Sequence, residues 1–260
     1  MSLFRRSLKI KSIKKKLKAN ELTVGSWITI GDPCVAEIMA KAGFDWLVVD
    51  MEHSAIGLPQ AQQLIRVIEL AGCVPLVRLS ENNPCYIKRV MDAGAHGVIV
   101  PMVNSRQDAV NAVNALRYPP SGTRGVGLAR AQGYGFEFDK YKKWVEKESI
   151  VIVQIEHINA IENLEHILDT PGIDGSIIGP YDLSGSLGHP GQFQKPEVKA
   201  ALKHYEETCR RMKKPAGFHV VQPQPKLAAS YKKKGYSFLA IGLDTLYLGN
   251  KCKEIIGALS

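Results

Sequence analysis

The sequence predicts a single-domain α/β protein closed as a (β/α)8 barrel. Eight short β-rich runs alternate with amphipathic helical patterns from end to end. Each run is near-continuously apolar rather than alternating, as parallel strands covered on both faces require. The length of 260 residues is close to what eight such units use as one domain. A doubly wound open sheet is the rival, but the stretch after the first strand reads Gly31, Asp32, Pro33, Cys34 and lacks a dinucleotide-binding glycine fingerprint.

In chain order the strands are expected at 24–30, 45–51, 74–79, 97–102, 150–156, 175–180, 215–220 and 238–244. Helices fall between them, for example over 60–70, where Leu64, Ile65, Val67 and Ile68 share an apolar stripe, and over 105–116, 159–168 and 197–212. Pro84 and Pro196 sit near helix openings, and Gly43, Gly72, Gly94 and Gly235 near helix ends. The one long irregular connection, 117–149, is expected to fold over a site.

The net charge of +9 is concentrated at one end. Residues 1–20 hold eight bases and no acid, leaving 26 bases against 25 acids in the other 240 residues. The chain therefore divides into a basic N-terminal extension, 1–20, and a nearly neutral barrel, 21–260. Ile10, Ile13 and Leu17 recur at helical spacing, so the extension reads as a solvated helix leading into the first strand. A transit-like segment and a nucleic-acid arm are the alternatives. No aromatic residue is interleaved among the charges from Arg5 to Lys18, which argues against nucleic acid. No apolar run approaches the roughly 18 residues of a membrane span. Five widely spaced cysteines without a CxxC pair suggest neither a zinc site nor a disulfide framework, and fit the cytoplasm.

Barrels of this kind carry their chemistry at the C-terminal ends of the strands, and ionisable residues cluster there. Strand two ends in Asp50, Glu52 and His53, and strand three in Arg78. Strand five ends in Gln154, Glu156 and His157; Asp182 follows strand six and Asp244 ends strand eight. Glu156 and Asp182 lie at the ends of consecutive strands, whose axes run roughly 4.8 Å apart. Both carboxylates can reach one hard divalent cation, Mg²⁺, Mn²⁺ or Co²⁺; alternatively they cap the helices that follow. His53 stands three residues after Asp50, a spacing that suits a carboxylate-oriented general base, or it is satisfied within a loop. Arg78 ends an apolar strand and needs an anion, either on a ligand or within the protein. The other histidines read as structural. A Schiff-base mechanism needs a desolvated lysine at a strand end, and none stands there.

With these residues in place, the chain resembles the metal-dependent (class II) 2-oxo-acid aldolases of the HpcH/HpaI family, which includes 2-dehydro-3-deoxyglucarate and 4-hydroxy-2-oxoheptanedioate aldolases. The stretches that carry the likeness are GSWITIGDP, AGFDWLVVDMEHS, PLVRL, DAGAHGVIVPMV, YPPSGTRGVG with ARA, VQIEHINAIENL and GPYDLSGSLG, in order from residue 22. The resemblance implies a lyase that cleaves a 4-hydroxy-2-oxo acid to pyruvate and an aldehyde through the pyruvate enolate. It implies that Glu156 and Asp182 hold the metal, that His53, supported by Asp50, handles protons, and that Arg78 holds an oxo-acid oxygen. Gln154 resembles the glutamine that contacts the pyruvyl group, and Asp182 counts among the substrate contacts. It further implies a homo-oligomer of dimers that exchange their last helix, here 244–258, often assembled as hexamers. Two rivals are a CoA-thioester lyase of the citramalyl/malyl-CoA type and a non-catalytic oxo-acid-binding barrel.

Overall fold

The computed structural model describes residues 12–259. The tail residues Arg5, Arg6, Lys9, Ile10 and Lys11 lie outside them. Eight parallel strands close in sequence order, β1 pairing with β8. They are β1 (Thr23–Ile28), β2 (Trp46–Asp50), β3 (Val74–Arg78), β4 (Gly97–Val100), β5 (Ile150–Ile155), β6 (Gly175–Ile178), β7 (Ala216–Val220) and β8 (Phe238–Leu243). Every predicted run forms a strand.

The helices are α1 (Ile13–Lys18), α2 (Pro33–Lys41), α3 (Leu58–Leu70), α4 (Pro84–Ala93), α5 (Arg106–Leu116), α6 (Phe138–Glu148), α7 (Ile158–Glu162), α8 (Leu164–Leu168), α9 (Pro180–Ser186), α10 (Pro196–Met212), α11 (Pro225–Lys233) and α12 (Asp244–Gly257). Short polar caps start several of them: the Asp32 and Asn83 side chains accept the N–H of Cys34 and Cys85, with a proline at the first helical position in both. Gly94 ends α4 in the left-handed conformation that its missing Cβ permits.

Alternation along the strands divides the core in two. One set of side chains packs outward under the helices. The other fills the barrel, with Trp27, Trp46, Val48, Leu76, Ile99, Ile152, Ile177 and Phe238 in one cluster. Trp46 stacks on Phe238 at 4.1 Å between ring centroids. Room for that indole comes from Gly25, where a Cβ would stand 2.1 Å from the Trp46 ring.

Helix α1 closes the floor of the barrel. Ile13 and Leu17 are 3% and 1% exposed and belong to the interior cluster. Lys14 is also buried; its ammonium donates to the Ser149 carbonyl at 2.9 Å and stands 3.3 Å from an Asp174 carboxylate oxygen. Lys16 reaches Asp45 at 2.7 Å. The helix expected here is therefore solvated on one side only, through Lys15 and Lys18. The apolar stripe belongs to the barrel it precedes.

The segment 117–149 does not cover the strand ends that carry the chemistry. It contains a 3-10 turn at Arg130–Gly135 and α6, and α6 packs on α1 at the floor. The reason is directional: it joins the end of a helix to the start of the next strand, and both lie at the N-terminal end of the barrel. Asp244 likewise proves structural. Its carboxylate accepts the N–H groups of Thr29 and Ile30 at 2.7 Å each and the Thr29 hydroxyl at 2.6 Å, tying β8 to the end of β1.

Candidate active site

At the C-terminal rim, Asp50 and Arg78 are register partners across β2 and β3. Arg78 Nε donates to Asp50 Oδ1 at 2.9 Å and Nη2 to Oδ2 at 2.5 Å, a two-pronged pair. Its third nitrogen, Nη1, stands 3.1 Å from Glu52 Oε2. The guanidinium lies over the Trp27 ring, 4.3 Å from the centroid, so two carboxylates and an indole face fix its plane. Burial alone would raise the Asp50 pKa, but the hydrogen bonds and charge of Arg78 outweigh it and hold it below the ordinary value.

The partnership expected between Asp50 and the His53 ring is absent. Asp50 Oδ1 accepts the backbone N–H groups of Glu52 and His53, at 3.0 and 3.2 Å, and so shapes the loop rather than the imidazole. The His53 side chain is 65% exposed at the mouth, and its nearest carboxylate is Glu52, at 3.8 Å from Nε2. Glu52 is the residue that sequence reasoning underweighted. Burial pushes its pKa up to about 7, with the charges of Glu156, Asp50 and Asp182 adding to the rise and Arg78 opposing it. Its Oε2 is buried without a hydrogen bond. Its position two residues after Asp50 was the available signal.

Strand β5 delivers Gln154 inward, with Glu156 just past the strand end and only 3% exposed. Glu156 Oε1 accepts the Met102 N–H at 2.6 Å, and Oε2 accepts the Gln154 amide. Met102 makes that donation from a left-handed backbone, φ 51°, uncommon for a residue with a side chain. Gly179 leaves space for the carboxylate: a Cβ there would lie 3.0 Å from Glu156 Cβ and 3.2 Å from Oε2. Asp182 sits in the first turn of α9, exposed on the same rim.

Asp50, His53, Arg78, Gln154 and Asp182 line one cleft of about 400 Å³, with Trp27 and His219 in its wall. Burial holds His219 neutral, its pKa lowered to about 4; the ring nitrogen Nε2 lies 3.0 Å from the Gly242 carbonyl and donates to it. Among the described residues no three His, Cys, Asp or Glu side chains form a closed metal cage. Donor chemistry nevertheless fits a hard cation. Glu156 and Asp182 both raise the Glu52 pKa by their charge, and the buried Glu52 Oε2 has the Arg78 guanidinium at 3.1 Å but no aligned hydrogen bond. Such a concentration of acceptors calls for positive charge. Two of the histidines expected to be structural have such partners: His157 caps α7 through Nδ1, and His96 pairs with Glu69 at 3.1 Å at the floor.

The profile of the HpcH/HpaI aldolase/citrate lyase family matches residues 23–250. The chain belongs to this family. It is 40% identical over 246 residues to a 4-hydroxy-2-oxo-heptane-1,7-dioate aldolase of Klebsiella pneumoniae, covering 94% of this chain and 92% of that one. A 2-dehydro-3,6-dideoxy-6-sulfogluconate aldolase of Pseudomonas putida is 36% identical over 244 residues, 94% of each chain. A solved HpcH/HpaI family structure from Burkholderia cenocepacia superimposes with a TM-score of 0.90 at 31% identity, covering 95% of this chain and 98% of that one. The protein is accordingly an aldolase, a carbon–carbon lyase, and these relatives favour that reading over a CoA-thioester lyase or a non-catalytic barrel.

Proposed function

We propose that the protein cleaves a 4-hydroxy-2-oxo acid to pyruvate and an aldehyde with the help of one divalent cation, Mg²⁺, Mn²⁺ or Co²⁺. The observation that carries this reading is the rim itself: a rigidly held arginine, the Asp50 and Asp182 carboxylates and a mouth histidine line one small cleft, and Glu156 is hydrogen-bonded to its lining residue Gln154. Glu156 and Asp182 are the residues to hold the cation, and Gln154 fixes Glu156 while contacting the pyruvyl group. A cation bound there supplies Lewis-acid polarisation of the oxo-acid oxygens.

Arg78 presents fixed positive charge where negative charge develops on the enolate oxygen; locked by Asp50 and Glu52, it needs no reorganisation as the bond breaks. His53 takes the proton from the C4 hydroxyl during cleavage and returns it in the aldol direction. Its exposure at the mouth lets it exchange that proton with solvent. Glu52, at 3.8 Å, is the carboxylate nearest the imidazole.

The oligomer and the compartment are further parts of the reading. Helix α12 exposes Leu248, Ile255 and Ile256, with Leu259 just beyond it. An apolar face of this kind suits a helix exchanged between the subunits of a dimer, with hexamers as the larger assembly. Among the described residues no helix is long and apolar enough to cross a membrane. All five cysteines are free, which supports a cytoplasmic setting.

The test is pyruvate release from racemic 4-hydroxy-2-oxo acids. EDTA should abolish it and Mg²⁺, Mn²⁺ or Co²⁺ should restore it. Covalent trapping by borohydride in the presence of pyruvate would overturn the reading.

A further inference from the structure

A cavity of about 380 Å³ lies at the floor of the barrel, away from the chemistry. Three helix ends border it: Lys18 and Ala19 close α1, Lys213 and Lys214 follow α10, and Lys234 and Gly235 follow α11. Ala216, the first residue of β7, also lines it, so the cavity sits at the opposite end of the strands from Arg78 and Glu156.

Its charge is one-sided. Lys18, Arg210, Lys213, Lys214 and Lys234 line it, against one acid among the described residues, Glu206. That acid is already engaged: the Tyr236 hydroxyl donates to it at 2.9 Å, and Lys234 Nζ stands 3.7 Å away. Lys18, Arg210, Lys213 and Lys214 make no ion pair among the described residues. Bases at helix C-termini also answer the macrodipole, which presents roughly half a negative charge at each end. Three such ends and Glu206 supply about 2.5 negative charges against the five bases. About half of the positive charge is left without an answer inside the protein.

Lys213 shows the same surplus locally. It caps α10 with a left-handed backbone, φ 54°, at a position where α4 uses Gly94. A side chain strains the backbone there, and glycine would not. The strained residue contributes an ammonium group to the cavity wall.

We propose that this cavity binds a chain of linked phosphates, either inorganic tripolyphosphate or the triphosphate of a nucleotide. Five cations from three helix ends surround the space, and a single phosphate reaches only part of them. Consecutive phosphates spread their oxygens along the wall and meet several ammonium and guanidinium donors at once. The site stands apart from the strand-end cleft and does not depend on the aldolase reading.

Titration calorimetry of the full-length protein in excess Mg²⁺ tests it with three probes: tripolyphosphate, ATP and orthophosphate. Tripolyphosphate or ATP should bind at one site per chain, at least about tenfold tighter than orthophosphate, and more weakly as NaCl is raised. The tighter of the two names the source of the phosphates. The Lys213→Ala/Lys214→Ala double variant should bind about tenfold more weakly, the scale of two partly solvated charge contacts. Lys199→Ala/Lys203→Ala removes the same charge from α10 outside this cavity and should leave the affinity unchanged. Thermal denaturation without ligand reports whether each variant is folded. Arg210→Gln, an exposed position, should weaken binding in the same sense and is read where the double variant does not fold. Orthophosphate binding as tightly as both phosphate chains, or equal weakening by the two lysine pairs, overturns the site. So does binding that is lost on removing residues 1–10 but survives substitution of Lys213 and Lys214.

Discussion

Asp50 and Arg78 occupy the same register on neighbouring strands and meet through two hydrogen bonds, so the arginine's position is set by the sheet rather than by a loop. A buried pair of this kind is sensitive to the loss of one partner, because the other is left without compensation. Asp50→Ala should slow proton exchange of the pyruvate methyl group by about 10²-fold or more, the scale of a lost electrostatic contact in a water-poor site. Arg78→Lys should lose both exchange and cleavage to a similar degree, because an ammonium reproduces neither the fork on Asp50 nor the stacking on Trp27. Exchange at the wild-type rate in Arg78→Lys would remove this arginine from enolate stabilisation.

His53 should behave differently. The aldol hydroxyl is absent when pyruvate alone exchanges its methyl protons, so His53→Ala should harm cleavage by about 10²–10⁴-fold while sparing exchange. Glu52→Gln should shift the pH profile of cleavage without copying the full loss, since burial raises the Glu52 pKa to about 7 and the substitution removes that titration beside His53. Equal losses in both assays for His53→Ala would show that the histidine also handles the methyl proton.

The floor helix yields a stability prediction. Removing residues 1–10 should leave Tm and turnover nearly unchanged. Removing residues 1–18 strips Ile13 and Leu17 from the barrel interior, and each fully buried aliphatic side chain is worth about 1.5–3 kcal/mol. It also leaves Asp174 without its Lys14 partner. A drop in Tm of roughly 10 °C or more is expected for the longer deletion, read by thermal denaturation.

His219 gives the protein an acid-side weakness. Its folded pKa, about 4, lies below the ordinary 6.5 because burial disfavours the imidazolium. The unfolded chain therefore binds the proton first. Stability from this group is fully present above pH 6.5 and is lost as the pH falls through that value toward 4, by roughly 3 kcal/mol in all. Urea denaturation between pH 4 and 7 should show a steeper acid loss in the wild type than in His219→Leu. Parallel curves would contradict it.

All eight strands were legible because buried parallel strands read as unbroken apolar runs, and Arg78 was legible because a guanidinium at the end of such a run demands a partner. The partner was not. Asp50 is 28 residues from Arg78 in sequence, and only the register of β2 on β3 brings them together, whereas the nearby His53 competes for attention through spacing alone. Spacing in a loop carries no information on side-chain direction. The segment 117–149 was misplaced for a related reason: its composition announces irregularity but not the end of the barrel at which it lies. The role of Glu52 emerges from the charges that surround it, which come from four different strand ends.

The attachment of α1 also orders events in time. Lys14 docks on Ser149, 135 positions downstream, so this side chain has no berth until most of the barrel has been synthesised. At about 5–20 residues per second that interval is roughly 7–27 s. During it Ile13 and Leu17 are without the later strands of the cluster that shelters them, β5, β6 and β8, and the unfinished barrel stands open at its base. Helix α1 is thus fully secured only late, and a ribosome that stalls before Asp174 leaves Lys14 without its counter-ion.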